Sequence, residues 1–397
     1  MSNSNLVLII TSTYPFGAGE EFFEAEVRGL IRSGVDVIIL PVWPRGPLRQ
    51  NSSDLNCLTL NRYRISPYVF LKTLLNLICR DISSNKRIKL NLFERCLRES
   101  ISAAYGPQLS KIIFDLKVAH MHAYWASGPA TLALTTSRLS GVSWSFTGHS
   151  GDLIDGVNLK QKIRSSKGIR LISERGACVL KRVTNLPPEL QIIHLGVNMP
   201  SSTSNKEDAK IFRIACVANL IPIKNHLVLI EAMHLIASQE ITIELEIIGT
   251  GPLEQKIKKL VQEFNLTDSI IFRGQVEHAK LMEEYQQNRF QLIVLASGTS
   301  KSGQEEGIPI SLMEAMSYGI PVVSTKTGGI PELIPESLGL LIKPSDPVQL
   351  AKKIIELHSM SNDERRNLGL KCQKMIYEKF DIQKTSKRFS RFLTSSM

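Results

Sequence analysis

Two doubly wound α/β domains are the fold that this sequence predicts, and three observations predict it. Short apolar, β-branched segments alternate with amphipathic helical segments in both halves of the chain, which is typical of parallel sheets covered by helices. The length of 397 residues exceeds one ordinary core and suits two domains of about 200 residues each. Residues 199–209, MPSSTSNKEDA, are polar, Ser-rich and without periodicity, so they are the best linker candidate.

The first half opens as strand, loop, helix and strand, which is a right-handed crossover unit. The first strand is predicted at 6–10, the helix continues to Leu30 and Ile31, and the next strand is at 35–40. Residues 45–115 are mostly helical in pattern. Further strands, each ending in a polar loop, are predicted at 118–123 and 143–147, and residues 170–173 and 191–194 are weaker strand candidates.

The second half repeats the alternation after the linker. Strands are predicted at 212–217, 243–248, 269–272 and 290–295, and helices at 226–238, 252–264 and 279–287. One long C-terminal helix is predicted over roughly 363–392. We expect a ligand cleft between the two domains, because such sheets bind ligands at the carboxyl ends of their strands.

Composition favours a soluble globular protein, with 43% hydrophobic residues and a formal net charge of +11. The first residues do not predict a signal peptide, and the most apolar internal run, 69–79, contains Lys72 and is too short to span a bilayer. The six cysteines show neither paired nor metal-binding spacing, which predicts reduced thiols in a cytosolic protein.

The positive charge is concentrated in the first half. Residues 1–200 contain 24 Lys and Arg against 14 Asp and Glu, whereas residues 201–397 contain 24 against 23. Within residues 62–98, basic residues alternate with aromatic and aliphatic ones, a pattern that suits an anionic membrane surface, where each cation contributes roughly 1 kcal/mol. Nucleic acid is a competing partner, but no nucleic-acid-binding motif accompanies the charge. A solvated basic face on a helical insertion is the other alternative.

Two glutamates lie eight residues apart at the start of a predicted helix. Glu306 precedes Gly307-Ile308-Pro309, and Glu314 lies in the helix-forming run SLMEAM. Pro309 suits the first turn of a helix, so we expect Glu306 in the loop just before it and Glu314 about two turns in. This arrangement suits a polyol that carries phosphate, because the helix end attracts the phosphate and the acids accept hydrogen bonds from hydroxyls.

The residues after that helix favour the same interpretation. A strand, PVVST, is followed by a second glycine loop at Gly328 and Gly329, where backbone N–H groups can approach an anion. One glutamate alone is more often a solvated residue of an ordinary βα unit. The combination of both glutamates with both loops is what favours a ligand site.

This string resembles the E-x7-E motif and its surroundings in retaining, nucleotide-sugar-dependent glycosyltransferases of family 4, especially members that build bacterial exopolysaccharide, capsule or lipopolysaccharide. The resemblance covers nearly the whole chain. It implies the GT-B fold, in which two Rossmann-like domains face each other across a cleft and a C-terminal helix crosses back to the first domain. The acceptor-binding domain is then expected at 1–200, the nucleotide-sugar-binding domain at 201–375 and the crossing helix at 376–397.

The resemblance assigns roles around the helix. Glu306 corresponds to the residue near the hydroxyls of the donor sugar, and Glu314 to the one that holds the ribose hydroxyls. The backbone from Gly307 through Ile308 and Pro309 corresponds to the support for sugar or phosphate.

Lys224 matches the family lysine that neutralises the donor diphosphate, where an ammonium favours departure of the nucleoside diphosphate. The family usually has Gly-Arg-Leu where this chain has Ala218-Asn219-Leu220. Asn219 can donate hydrogen bonds but carries no charge, so we expect donor affinity, leaving-group stabilisation or both to be affected. Lys301 and Lys326 are candidates to compensate.

Glycine loops complete the implied donor site. Gly249 and Gly251 follow one strand and Gly274 follows the next, and these loops resemble those that line the nucleotide. Gly17 and Gly19, between the first strand and helix, resemble a wall of the donor and acceptor site, where the backbone can approach a ligand closely. Such loops alone are weak evidence, because they join many strands to helices.

Three histidines follow or lie in strands of the first half. His149, in FTGHSGD, matches the family histidine that contacts the donor sugar, and its imidazole could donate a hydrogen bond there. The implied catalytic residues are therefore His149, Lys224 and Glu306. His120 and His122 share one face of a strand, which leaves a metal interpretation open, but the sequence places no third ligand.

No Asp-x-Asp sequence occurs, so we predict neither a metal against the diphosphate nor any other cofactor. The resemblance implies that the departing phosphate takes the proton of the acceptor on one face of the sugar. The partners implied are a nucleotide diphosphate-sugar and a lipid-linked glycan, and the location implied is the inner face of the cytoplasmic membrane. Two alternatives stay open: a nucleotide-sugar 2-epimerase of the same fold, and a weakened or non-catalytic relative, which the change at Asn219 motivates.

Overall fold

The computed structural model describes residues 5–17, 20, 22–49, 52–60, 65–83, 90–154, 156–185, 187, 189–200, 211–300, 303 and 305–397. The chain divides into two compact units, Met1–Gly196 with Ile382–Met397, and Val197–Asp381. Most of the predicted linker, 201–209, lies outside the described residues. Each unit contains one sheet of six strands, and all pairs in both sheets are parallel. This architecture confirms the predicted α/β class.

The first unit has the strand order β2-β1-β3-β4-β5-β6. Its strands are β1 (Leu6–Thr11), β2 (Asp36–Pro41), β3 (His120–Ala123), β4 (Ser143–Gly148), β5 (Gly168–Leu171) and β6 (Leu190–Ile192). Its helices are α1 (Phe22–Arg32), α2 (Pro67–Ser83), α3 (Leu90–Ala104), α4 (Gly106–Asp115), α5 (Gly128–Ser140), α6 (Ser150–Ile154), α7 (Leu159–Ser165), α8 (Glu174–Lys181) and the C-terminal α16 (Ile382–Ser395).

The second unit has the strand order β12-β11-β10-β7-β8-β9. Its strands are β7 (Arg213–Val217), β8 (Glu244–Ile248), β9 (Ile270–Gly274), β10 (Leu292–Leu295), β11 (Val322–Thr325) and β12 (Leu341–Ile342). Its helices are α9 (His226–Ala237), α10 (Glu254–Glu263), α11 (His278–Gln286), α12 (Ile310–Ser317), α13 (Ile330–Leu333), α14 (Pro347–Ser359) and α15 (Asn362–Lys379).

The central strands are apolar on both faces because helices cover both faces of each sheet. In β1 every residue after Leu6 is buried, and β10 and β11 are buried throughout. Parallel strands with this composition are typical of doubly wound sheets. None of the helices in the described ranges combines the length and apolarity that crossing a bilayer requires.

The predicted single C-terminal helix is wrong, because the structure has two helices there. α15 ends at Lys379 with Phe380 as its C-cap. Asp381 then pairs with Val197 in an isolated parallel bridge, and the Val197 N–H donates to the Phe380 carbonyl at 2.9 Å. Phe380 is fully buried, so the pairing and the burial of its ring together interrupt the helical hydrogen bonds.

The second of these helices, α16, belongs to the first unit and packs on α1. Its buried residues recur at helical spacing, with Ile382, Phe389 and Phe392 on one face. Gly29 of α1 lies at the crossing, where an added Cβ would stand 2.0 Å from the Ser386 hydroxyl oxygen. A residue without a side chain is therefore required there.

One other expectation is confirmed and one needs correction. Residues 45–115 are mostly helical, because α2, α3 and α4 occupy most of the range, although residues 45–49, 52–60 and 65–66 contain no α-helix. Short contacts replace helical packing there, such as the Leu58 N–H to the Ile39 carbonyl at 2.8 Å. Pro309 was predicted in the first turn of its helix, but it is the N-cap of α12 in an extended conformation, a difference of one residue.

Candidate functional site

The predicted site residues of the second half lie at the ends of its strands, in the segments that follow them, and in α12. Parallel strands direct their carboxyl ends to one edge of a sheet, so the segments after β7, β8, β9 and β10 emerge at the same edge. The segment after β7 contains Asn219 and Lys224, those at β8 and β9 contain Gly249, Gly251 and Gly274, and the one after β10 leads through Glu306, Gly307, Ile308 and Pro309 to Glu314 in α12.

Lys224 and Glu306 form an ion pair within this unit. Lys224 ends a short 3-10 turn, Pro222–Lys224, and its Nζ lies 2.5 Å from Glu306 Oε2. The hydroxyl of Ser297, two residues past β10, donates to the same oxygen at 3.1 Å. The two charged side chains keep 17% and 14% of their exposure. Glu306 Oε1 receives no hydrogen bond from any described residue, so one carboxylate oxygen is open to a ligand.

The backbone around Glu306 explains the second glycine loop. The Gly329 N–H donates to the Glu306 carbonyl at 3.1 Å. Gly328 has φ +56°, and a Cβ there would lie 1.9 Å from that carbonyl oxygen. The loop after β11 therefore supports the segment that presents Glu306, and only glycine permits this approach.

The N-terminal end of α12 follows directly from that segment. No side chain caps it, since Pro309 is the N-cap and has no side-chain acceptor. Ile308 is 6% exposed, whereas an added Cβ on Gly307 would meet no atom within 4 Å. The positive end of the helix dipole thus lies close in sequence to an open backbone position beside Glu306.

Glu314 lies in the second turn of α12 and contacts a different partner. Its Oε1 lies 2.7 Å from His278 Nε2, at the first residue of α11, and its side chain is 17% exposed. Glu314 Oε2 has no partner in the part of the chain that the structure describes. Burial, and next the charge of Glu314, raise the pKa of the nearby Tyr318 hydroxyl.

The other glycines of the second unit have a structural explanation of their own. A Cβ on Gly249 would lie 2.1 Å from the Ala218 carbonyl oxygen, and a Cβ on Gly251 would lie 2.6 Å from that of Leu220. The Gly249 N–H also donates to the Gly274 carbonyl at 2.8 Å. Close packing accounts for Gly249 and Gly251, whereas Gly274 has φ +63° and an added Cβ there would meet no atom within 4 Å. The contact of all three with a nucleotide stays a prediction.

Lys301 and Lys326 were the candidates to supply the positive charge that is missing at Asn219, and the structure does not place either of them in that role. Asn219 itself is exposed. Lys326 pairs with Glu336 at 2.9 Å, and Lys301 lies outside the described residues. Arg273, near the predicted nucleotide loop, is held at 2.9 Å by the fully buried Glu246 and at 2.7 Å by Glu284, so its charge is already neutralised within the unit.

In the first unit, the loop after β1 is closed by the chain itself. Gly17 has φ +64°, and an added Cβ would lie 2.4 Å from the Arg45 carbonyl oxygen. Gly19 lies outside the described residues. The backbone N–H groups of Thr13 and Tyr14, earlier in the same loop, each donate to the Glu20 carboxylate at 2.6 Å.

His149 lies at the end of β4, just before α6, in an aromatic environment. Its ring stacks on Trp125 with 4.0 Å between centroids. Its backbone N–H donates to Asp152 Oδ1 at 2.7 Å, while Nδ1 stays 3.9 Å from Asp152 Oδ2. Both ring nitrogens are buried, and neither has a hydrogen-bond partner among the described residues.

The metal interpretation of His120 and His122 is not supported. Their four ring nitrogens all contact hydroxyls of β4 at 2.7 to 2.8 Å: Ser143 and Ser145 for His120, and Ser145 and Thr147 for His122. Burial lowers the pKa of His120 to about 4 and lowers that of His122 as well. Across the described ranges no group of three His, Cys, Asp or Glu could hold a metal ion.

Sequence reasoning missed three residues of these clusters: Ser297, His278 and Glu20. Ser297 contacts Glu306 from nine residues away, and Glu20 contacts Thr13 and Tyr14 from seven and six residues away. His278 contacts Glu314 from 36 residues away. No pattern in the sequence indicates these contacts, because a single Ser, His or Glu beside a turn is common at any helix start.

Comparison with known proteins finds relatives among glycosyltransferases. Residues 200–375 match the family model described as glycosyl transferases group 1. WcaL of Salmonella typhimurium, which is named as a colanic acid biosynthesis glycosyltransferase, is 27% identical over 316 residues, covering 75% of this chain and 74% of that protein. The amylovoran biosynthesis glycosyltransferase AmsK of Erwinia amylovora is 32% identical over 172 residues, covering 42% of this chain and 41% of that protein.

Solved structures share the whole fold. HepE of Anabaena, crystallised with UDP, has a TM-score of 0.71 at 15% identity and covers 98% of this chain and 99% of that one. The lipopolysaccharide outer core galactosyltransferase WaaB has a TM-score of 0.69 at 16% identity, covering 99% of this chain and 100% of that one. Together with the two parallel sheets, these likenesses confirm the predicted GT-B fold class.

Proposed function

We propose that this chain is a glycosyltransferase that moves a sugar from a nucleotide diphosphate donor to a growing, lipid-linked surface glycan. Its residues 200–375 match the family model of glycosyl transferases group 1, and WcaL is similar over three quarters of this chain. The observation that carries the proposal is the Lys224–Glu306 pair beside the uncapped start of α12. HepE binds UDP and UDP-glucose in its crystals, and WcaL and AmsK are named for colanic acid and amylovoran, which supports this donor and acceptor class.

Lys224 stabilises the leaving group in this proposal. As the bond between the sugar and the diphosphate breaks, negative charge accumulates on the phosphate oxygens. The Lys224 ammonium exchanges its contact with Glu306 Oε2 for those oxygens, and the N-terminal end of α12 adds its dipole. The stabilisation grows as charge develops, so it lowers the barrier rather than only tightening substrate binding.

The two glutamates bind hydroxyl groups of the donor. Ser297 and Lys224 occupy Oε2 of Glu306, so Oε1 accepts from a sugar hydroxyl. His278 occupies Oε1 of Glu314, so Oε2 accepts from the ribose. In both cases one carboxylate oxygen is fixed by the protein and the other is available, which orients the acceptor lone pairs before the donor arrives.

We propose transfer with retention and without a metal. The bond from the anomeric carbon to the phosphate oxygen breaks, and a bond to the acceptor oxygen forms on the same face. The departing phosphate takes the acceptor proton, so no separate base is required. His149 of the first unit donates a hydrogen bond to the sugar. Full turnover after exhaustive treatment with EDTA is expected, and loss that Mg²⁺ restores would contradict the metal-independent step.

The proposal places the protein at the inner face of the cytoplasmic membrane. On α2, three apolar side chains at helical spacing are solvent-exposed, Tyr68 at 71%, Leu71 at 55% and Leu75 at 54%, and Lys72 lies over the Tyr68 ring. The basic residues at 62, 64, 86, 87 and 89 lie outside the described residues.

A vesicle-binding experiment separates the contribution of the apolar face of α2 from that of the positive charge. We expect cosedimentation with phosphatidylglycerol vesicles that falls with salt and falls further when Leu71 and Leu75 are both replaced by Ser. Equal binding to phosphatidylcholine vesicles would contradict the electrostatic part, and unchanged binding of the double variant would contradict the part played by α2.

The decisive test of function measures nucleoside diphosphate release from a panel of UDP- and GDP-sugars, with and without a lipid-linked glycan acceptor. Release that requires the acceptor supports transfer, whereas release without it supports the epimerase or hydrolysis. Glu306→Gln should reduce turnover at least tenfold, because a hydrogen bond to a charged group is worth about 1.5–3 kcal/mol. Glu263→Gln, in a surface pair with Lys259, is the matched control. Calorimetry that detects no donor binding would favour a non-catalytic relative.

A further inference from the structure

The carboxylate of Glu20 is almost completely buried, and neutral groups alone bind it. Glu20 is 5% exposed. It accepts from the backbone N–H groups of Thr13 and Tyr14 at 2.6 Å, from that of Ser12 at 3.4 Å, from the Thr13 hydroxyl at 2.8 Å, and from the indole Nε1–H of Trp125. No Lys or Arg contacts it within the described ranges. A buried carboxylate without a cation is costly, so its retention calls for an explanation.

Trp125 connects this carboxylate to His149. An indole has a single N–H donor, and Trp125 donates it to Glu20 across 105 positions of the sequence. With that atom fixed, the ring cannot turn about its long axis. The Trp125 ring also stacks on the His149 imidazole, with 4.0 Å between the ring centroids and 27° between the ring planes. The orientation of the imidazole plane therefore follows the orientation of the indole plane.

The imidazole of His149 has few other constraints. Neither ring nitrogen has a hydrogen-bond partner among the described residues, although both atoms are buried. The oxygens of Asp152 already accept the backbone N–H groups of His149 and Ala126, both at 2.7 Å. No hydrogen bond within the described residues therefore fixes the orientation of the ring. Ring packing is what holds the imidazole in place, and Trp125 is its closest aromatic neighbour.

We propose that Glu20 is a positioning residue for His149 and acts through Trp125. The inference rests on the proposed role of His149 toward the donor sugar. Glu20 touches neither substrate nor His149, but it fixes the indole against which the imidazole lies. Loss of that anchor misplaces the imidazole, and a shift of about 1 Å can reduce turnover on the order of 100-fold.

The first test does not depend on activity and uses NMR of the full chain. The protein has three tryptophans, and Trp125→Phe assigns the Trp125 indole signal by its disappearance. In Glu20→Gln we expect that indole signal and the ring carbon-bound proton signals of His149 to shift together. An unchanged His149 signal alongside a shifted indole would overturn the proposal. Trp125→Phe leaves all the backbone N–H groups that donate to Glu20 in place. If Glu20→Gln folds poorly, the His149 signals are measured in Trp125→Phe instead.

The second test is a kinetic double-mutant cycle over the same two positions. Glu20→Gln and Trp125→Phe should each lower kcat 10- to 100-fold with little change in donor KM, and the double variant should be no slower than the slower single variant. Multiplying effects would show that Glu20 acts through the loop at 12–14 instead, and would overturn the proposal. Glu174→Gln, an exposed position on α8, should keep wild-type kcat.

The two proposals fail in distinguishable ways. Wild-type turnover in His149→Ala would refute the catalytic role of His149, and the NMR experiment would then decide alone whether Glu20 orients the ring. Loss of turnover in His149→Ala together with normal kcat in Glu20→Gln would refute the positioning role and leave the proposed function intact.

Discussion

Two ion pairs, Glu26–Arg170 in the first unit and Lys224–Glu306 in the second, differ in how much of their hydrogen-bonding capacity the protein itself uses. Glu26 and Arg170 are fully buried. Arg170 contacts both Glu26 oxygens, at 3.0 and 2.5 Å, and donates to the Ile193 carbonyl at 3.0 Å, while Tyr124 donates to Glu26 and the ring of Phe389 stacks on the guanidinium.

The second pair is left incomplete. Lys224 and Glu306 keep some exposure, and both contacts to the carboxylate reach Oε2 only. A pair whose donors and acceptors are all satisfied has no capacity left for a ligand, so it stabilises the fold. A pair with an open oxygen and an amine held by one contact can change partners. The number of satisfied atoms, rather than the charge itself, separates the structural pair from the candidate functional pair.

The strongest way to break this contrast is Glu26→Gln. Removing one partner of a buried ion pair leaves the other charge uncompensated, which costs about 3–5 kcal/mol. Arg170 would then lie buried with only carbonyl partners and the Phe389 ring. We expect a large drop in the free energy of unfolding of the first unit, measured by denaturant titration with circular dichroism. Calorimetric affinity for the nucleotide, which we assign to the second unit, should be retained in the folded fraction. A variant that folds normally but binds no nucleotide would reverse the assignment of the two pairs.

Lys224→Ala should lower the turnover and leave the stability nearly unchanged, which is the opposite of the result expected for Glu26→Gln. Loss of a preorganised charge at a developing oxyanion lowers kcat on the order of 100- to 1,000-fold, or about 3–4 kcal/mol, whereas a partly exposed ion pair contributes little to stability. We expect near wild-type melting and greatly reduced nucleoside diphosphate release.

Lys259→Ala is the control for that experiment, because it removes a lysine from an exposed pair, 3.5 Å from Glu263. It should change neither quantity. If Lys224→Ala lowers the melting temperature as much as Glu26→Gln does while kcat is normal, Lys224 is structural and the proposed mechanism fails.

The buried His120 ring of the first unit should make the stability of the fold depend on pH. Burial lowers the pKa of His120 to about 4, so the folded state keeps this ring neutral where the unfolded chain would protonate it. Stability is therefore complete above the unfolded pKa of about 6.5 and declines as pH falls toward 4, by about 2 kcal/mol at pH 5 for this ring alone.

Unfolding of the wild type and of His120→Gln at pH 7.5 and pH 5.0 measures this contribution. The variant should be less stable at pH 7.5, because it loses contacts to Ser143 and Ser145, but it should lose less on acidification. Equal acid sensitivity of both proteins would show that the neutral His120 ring is not the cause.

The strands and the α12 helix could be predicted because local periodicity determines them. Apolar runs such as 290–295 are buried on both faces, and Glu306 lies in the loop before α12 as its spacing to Pro309 indicated. The break between α15 and α16 could not be predicted. It depends on Val197 pairing with Asp381, at the other end of the second unit's sequence, and Asp381 alone is a weak helix-start signal.

The candidate site was predictable only in part, for the same reason. The glycine loops and acids carry recognisable spacing, but the closure of the Thr13–Tyr14 backbone by Glu20 depends on where a side chain points. The sequence predicted that the backbone at Gly17 and Gly19 could approach a ligand, which stays a prediction. It did not indicate that a carboxylate six residues past Tyr14 binds the N–H groups earlier in that loop.

His278→Ala should change the kinetics least of the site variants. It tests whether Glu314, like Glu306, uses one carboxylate oxygen for a protein contact and leaves the other for the ligand. His278 is 58% exposed and contacts one oxygen of Glu314 at 2.7 Å, so its loss should not measurably change the melting temperature. If it fixes Oε1 so that Oε2 meets the ribose, its loss should raise donor KM about fivefold, the equivalent of about 1 kcal/mol for one hydrogen bond, with kcat unchanged. A fall in KM would mean that His278 competes with the nucleotide for Glu314. In that case an ion pair with one open oxygen would indicate a site that the protein's own side chain occupies, rather than a carboxylate oriented for the ligand. The Lys224–Glu306 contact would then also compete with donor binding.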